Sequence, residues 1–180
     1  MTIYLAYGLF EGPLFAGPLK NELIRRGHSV TTDPLRADLI IAHSGAWCLL
    51  DQPKMYKKLV LVDPAYNDQR SAFAKSLSRL GYDFQHFTVK ALPRYCYYRF
   101  LNIWYLLTRF RRWLAMNKAY HARDIRPVLA CDTVYILRVS DPTWHNAAIA
   151  QSSPHPIRDL GGDHDSMWHQ TDAIADILGL

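Results

Sequence analysis

Ser44 stands in Ala42-His43-Ser44-Gly45-Ala46, directly after the apolar run Ala37-Asp38-Leu39-Ile40-Ile41-Ala42. A serine hydroxyl becomes a nucleophile when an imidazole takes its proton and a carboxylate fixes the ring tautomer able to do so. Residues suited to those two roles also follow apolar runs. Asp63 closes Lys58-Leu59-Val60-Leu61-Val62, Asp141 comes just after Thr133 to Val139, and His164 sits in Gly161-Gly162-Asp163-His164-Asp165 after Pro156 to Leu160. A serine on a tight strand-to-helix turn leaves no room for bulky side chains two positions away on either side, and Ala42 and Ala46 meet that condition. The same string also reads as a plain helix cap, with Ser44 satisfying free N–H groups of a first turn.

The elements that must carry these residues follow from the hydrophobic pattern. Ile3 to Ala6 reads as a strand running into a loop with Gly8, Gly12 and Gly17. A helix follows over Pro18 to Arg26, stopped at Gly27. His28 to Thr31, Ala37 to Ala42, Lys58 to Asp63, Thr133 to Val139 and Pro156 to Leu160 read as further strands, and Ser71 to Leu80 as a helix. The two central runs are apolar enough to be buried on both faces, as parallel strands are. This alternation predicts an α/β fold, a mostly parallel central sheet with helices on both faces and its chemistry at the carboxyl edge of the strands. A length of 180 residues fits a single domain over 1–180.

The elbow around Ser44 resembles the nucleophile elbow of the α/β-hydrolase superfamily, G-x-S-x-G, with alanine in place of both flanking glycines. The order Ser44, Asp141, His164 is also that of the superfamily's triad. The resemblance implies a reduced α/β-hydrolase fold and a serine hydrolase acting on a carboxylic ester, thioester or related acyl bond. In that reading Ser44 is the nucleophile, His164 the base and Asp141 the acid, while Asp63 is the rival acid on the earlier strand. Tyr7-Gly8-Leu9-Phe10 lies where the superfamily carries its His-Gly oxyanion loop, which makes the backbone N–H groups of Leu9 and Gly45 the candidate oxyanion hole. The stretch from about 85 to 129 falls where the superfamily inserts a variable lid.

That stretch has its own character. No Asp or Glu occurs between Phe84 and Arg123, whereas Lys90, Arg94, Arg99, Arg109, Arg111, Arg112, Lys118 and Arg123 do, within a chain of net charge +5. Phe100, Ile103, Trp104, Leu107, Phe110 and Leu114 recur at helical spacing, so the segment reads as an amphipathic cap helix packed over the core. Phe100 and Trp104 are its candidate substrate-binding residues, lining an apolar acyl pocket. Its arginines suit an anionic substrate or an acidic membrane surface. The competing reading is a catalytically inactive hydrolase-fold protein that uses the same residues to bind an anionic partner or single-stranded nucleic acid, a use that leaves the ordered Ser, Asp and His without a role.

The remaining features set boundaries. Cys48, Cys96 and Cys131 lack C-x-x-C spacing, so neither a disulfide framework nor a cysteine zinc site is expected, and Cys48 reads as a buried helix residue. His164 and His169 do not share a helical face, which argues against a metal site formed with Asp163 and Asp165. His28, His43, His86, His121, His145 and His155 read as surface or core-satisfied histidines. Acyl transfer on a serine triad needs no cofactor, and the expectations are no metal, a small acyl substrate and a cytoplasmic location. No apolar run reaches the ~20 residues of a membrane span.

Overall fold

The structure, a computed structural model, describes residues 1–8, 11–51, 55–64, 92–123, 125, 128, 134–138, 157–161 and 169–180, with the backbone alone at 94, 95, 98, 99 and 134–138. Six strands form one sheet: β1 (Thr2–Ala6), β2 (Ser29–Thr31), β3 (Leu39–His43), β4 (Leu59–Val62), β5 (Val134–Arg138) and β6 (Ile157–Asp159). Their order is β2-β1-β3-β4-β5-β6, and every neighbouring pair is parallel. The helices are α1 (Gly17–Arg25), α2 (Leu92–Thr108), α3 (Phe110–Ala122) and α4 (Thr171–Leu178). The mostly parallel sheet flanked by helices is thus present. The helix expected over 71–80 lies outside the described residues.

Alternation along the strands sorts the core into two layers. Ile3, Leu5, Leu39, Ile41, Val60 and Val62 face one way, against Leu19 and Leu23 of α1, Leu101 of α2 and Ile174 of α4. Ala6, Ile40, Ala42, Leu59 and Leu61 face the other way, against Trp47, Tyr120 of α3, Ile125 and Val128. Every residue of β3 and β4 is buried, the signature of strands covered on both faces. Complete burial of Leu19 and Leu23 fixes α1 on the sheet and contributes about 1.5–3 kcal/mol for each side chain.

Helix α1 ends as its sequence predicts. Gly27 takes φ +87°, His28 N–H donates back to the Leu23 carbonyl at 3.0 Å and Gly27 N–H to that of Ile24 at 3.0 Å, a left-handed stop suited to glycine. Helix α4, which the sequence reading does not contain, is tied to that end. Arg26 pairs with Glu22 at 2.5 Å and with Asp176 at 2.7 Å, and its Nη1 donates to the carbonyl of Leu180 at 2.9 Å. Hydrogen bonds from Arg25 and then Arg26 hold the Glu22 carboxyl at about 2, well below the ordinary carboxylate range.

The basic segment between β4 and β5 departs from its expected form. Two helices replace one, broken at Arg109 (φ −129°, ψ 32°), and the Thr108 hydroxyl donates to the Trp104 carbonyl at 2.8 Å just before the break. The buried side is also different. Leu101, Tyr105, Met116 and Tyr120 pack inward, whereas Phe100, Ile103, Trp104, Leu107, Phe110 and Leu114 are all exposed. Those six residues share exposure but are divided between the two helices, and contact with the core belongs to others.

Candidate active site

The sheet brings Ser44 and Asp63 to one edge. β3 pairs with β4 so that His43 lies beside Val62, which puts Ser44 and Asp63 side by side as the first residues beyond the two strand ends. Ser44 has φ +54° and Asp63 φ +41°; they are the non-glycine residues with positive φ among the described residues. A side chain in that region is crowded against its own carbonyl, and such strain persists only where the surroundings impose it. At Ser44 the surroundings are the fully buried strand behind it and the short 3₁₀ helix Ser44–Leu49 ahead, where Gly45, Ala46, Trp47 and Cys48 are buried. Ala42 and Ala46 are both in the core, so the small residues required beside a tight elbow are packed as that requirement implies. The Asp63 side chain is also fully buried.

The loop after β1 closes over this elbow. β1 pairs with β3 through Ala6 and Ala42, which carries Tyr7 and Gly8 alongside His43 and Ser44. The approach is close: a Cβ on Gly8 would stand 3.1 Å from the Ser44 Cβ and 3.4 Å from its Oγ. Only glycine lets the loop come this near the serine without displacing it. A buried carboxylate joins the two segments. Glu11 Oε2 accepts the Gly8 N–H at 2.9 Å, and His43 Nδ1 lies 2.8 Å from Oε1 and 2.9 Å from Oε2. An ionised carboxylate can only accept, so in that pairing Nδ1 carries the proton.

Comparison with solved structures places this architecture. The chain superposes on the enol-lactonase from Burkholderia xenovorans LB400 with a TM-score of 0.66 at 15% identity, covering 99% of this chain and 89% of that one. The thioesterase domain from the curacin biosynthetic pathway gives 0.59 at 14% identity, over 99% and 91%. An α/β-hydrolase enzyme from a sediment metagenome of the lagoon of Mar Chica, Morocco, gives 0.57 at 12% identity, over 99% and 89%. The chain has the α/β-hydrolase fold. No protein-family model matches it, and no curated protein matches it by sequence.

Within this α/β-hydrolase fold, Ser44 and Gly45 occupy the elbow after the central strand β3. Asp141, His164 and Leu9 lie outside the described residues, although β5 and β6, the strands that precede Asp141 and His164 in the sequence, run parallel to β3. A cavity of about 450 Å³ opens between the loop after β1 and α2, lined by Gly12, Leu14, Phe15, Leu101, Trp104 and Tyr105 among others. Trp104 therefore borders this cavity; Phe100 is not among its lining residues, and its ring lies against that of Trp104, 6.4 Å between centroids. The loop fits α2 tightly, since a Cβ on Gly12 would meet the Tyr105 ring at 2.6 Å. Tyr7 has the Arg112 guanidinium 5.9 Å from its ring centre, and burial raises the pKa of its hydroxyl.

Glu11 is what sequence reasoning missed, whereas His43 is one of the core-satisfied histidines the sequence suggests. A signal was present. A histidine continuing Leu39-Ile40-Ile41-Ala42 into a doubly covered strand must find a buried partner, because an unpaired polar group there is costly. The partner lies 32 residues away in sequence. Cys48 behaves as expected of a core thiol: it is fully buried, and burial pushes its pKa up to about 11.

Proposed function

We propose that the chain is a serine hydrolase that cleaves a carboxylic ester, thioester or related acyl bond of a small substrate. The observation that carries this reading is the backbone of Ser44, held at φ +54° at the end of the central strand with Gly8 packed against its side chain. Strain of this kind costs stability, and it projects a serine hydroxyl from the sheet edge as an elbow nucleophile requires. In this mechanism Ser44 Oγ attacks the acyl carbon while His164 takes its proton. The alkoxide or thiolate leaves with that proton, and water then releases the acid from Ser44 by the same route. Asp141 orients His164 and stabilises its charged form. The backbone N–H groups of Leu9 and Gly45 receive the oxyanion, where one donor is worth about 3–4 kcal/mol of transition-state stabilisation.

The acid has a second reading, favoured by one observation. Asp63 is fully buried, has positive φ, and ends the strand next to Ser44. Asp141→Asn and Asp63→Asn, each checked for folding, separate the two: the true acid loses up to about four orders of magnitude in turnover. The hydrolase reading itself is tested by a fluorophosphonate probe. Wild type gains one covalent adduct on Ser44 and Ser44→Ala gains none while remaining folded. Folded wild type that takes no label points instead to the inactive binding protein.

A further inference from the structure

We infer that α2 and α3 form an interfacial surface that docks on an anionic lipid bilayer. On α2, Cys96, Tyr97, Phe100, Ile103, Trp104 and Leu107 fall within a single side of the helix at spacings of three and four residues, and all are exposed. Phe100 is 62% exposed and Leu107 74%, so the apolar stripe of this helix faces away from the protein, the reverse of a helix packed on a core. On α3 the inward side is Met116 and Tyr120, and the outward side carries Phe110 and Leu114 together with Arg111 and Lys118, all exposed. An outward apolar stripe beside basic side chains, on helices too short and too polar to span a bilayer, is the pattern of a helix that lies in a membrane surface.

Charge selects this occupant over the two others such a surface would suit. The sequence has no Asp or Glu between Phe84 and Arg123, so a second copy docking the same patch by two-fold symmetry would set Arg111 and Lys118 against like charges with no acid from this segment to offset them. A nucleic acid would satisfy the cations and could stack on Phe100, Trp104 and Phe110, but it would leave the aliphatic Ile103, Leu107 and Leu114 without an apolar partner. An anionic bilayer meets both halves: lipid headgroups for the cations, acyl chains for the aliphatic side chains. This proposal does not depend on the hydrolase reading. It would place the cavity bordered by Trp104 next to the lipid surface.

The test is co-sedimentation of the folded chain with vesicles of phosphatidylcholine alone and of phosphatidylcholine containing phosphatidylglycerol. Binding is expected to the anionic vesicles and to weaken with salt. Arg111→Gln with Lys118→Gln should weaken it roughly 30-fold, from about 1 kcal/mol per cation near an anionic leaflet. Ile103→Ser with Leu107→Ser, on exposed positions that leave the far-ultraviolet circular dichroism unchanged, should abolish retention on vesicles even at low salt. Three results would overturn the proposal: folded protein that ignores anionic vesicles, a dimer in sedimentation velocity that the Ser variants dissociate, or single-stranded RNA binding that the Gln variants lose and the Ser variants keep.

Discussion

Replacing Glu11 with alanine removes a carboxylate that two segments of the site share. Its Oε2 accepts the Gly8 N–H at 2.9 Å, and its two oxygens flank His43 Nδ1 at 2.8 and 2.9 Å, with Glu11 and His43 both buried. A hydrogen bond to a charged group contributes about 1.5–3 kcal/mol net, so the bonds to Gly8 and His43 account for about 3–6 kcal/mol. Alanine also relieves the desolvation of the carboxylate itself, which moves the expectation to the lower end, about 3 kcal/mol. For a domain of this size that corresponds to a fall in Tm of roughly 6–12 °C. Glu11→Gln retains the shape and one carbonyl acceptor but faces a second donor with its own NH2, and should lose about half as much. Urea unfolding of the three proteins, with equal m-values as the check on two-state behaviour, measures both differences. Fluorophosphonate labelling then reads the consequence at the elbow, where Glu11→Ala should label more slowly than wild type because Gly8 is no longer tied over Ser44. An alanine variant within about 0.5 kcal/mol of wild type would refute the reasoning, since that is the range of an ordinary surface change.

Other expectations follow from single contacts. Gly12→Ala places a Cβ 2.6 Å from the Tyr105 ring and should cost about 1–3 kcal/mol by overpacking, a loss that Tyr105→Ala in the same chain should largely remove in a double-mutant cycle. Ser44→Gly and Ser44→Ala both delete the hydroxyl, but only glycine adopts φ +54° without a Cβ penalty, so the glycine variant should be about 1 kcal/mol more stable by denaturant titration. Glu22 is depressed from its ordinary 4.5 to about 2. Its contribution is therefore present above pH 4.5 and lost as pH falls through 2; Glu22→Gln should flatten stability over that window, followed by the amide signals of α4. Cys48, raised from 9 to about 11, should alkylate at pH 8 at least about a hundredfold more slowly than exposed Cys96, as read by peptide mass.

Much of this architecture is written in local sequence. The strands covered on both faces, β3 and β4, are continuous apolar runs because a parallel strand between two helical layers has no polar side to show. The stop at Gly27 and the small residues Ala42 and Ala46 are equally local, since each answers a steric demand within a few bonds. Helix α4 is equally local in its signals, since Thr171-Asp172-Ala173-Ile174-Ala175-Asp176-Ile177-Leu178 before Gly179 carries a helical period and a glycine stop.

What the sequence determined by itself was therefore the six strands, α1 with its stop, and the small residues around the turn at Ser44, because strand burial, turn chemistry and crowding at a tight turn act over short stretches of chain. Tertiary structure alone decided the partners. The order β2-β1-β3-β4 brings the β1 loop against Ser44, and it joins Glu11 to His43 across 32 residues that no periodicity links. It likewise decided that the stripe on α2 faces outward. Period 3.6 fixes which side chains share a face, whereas whether that face is covered depends on what the rest of the chain has left to pack against it.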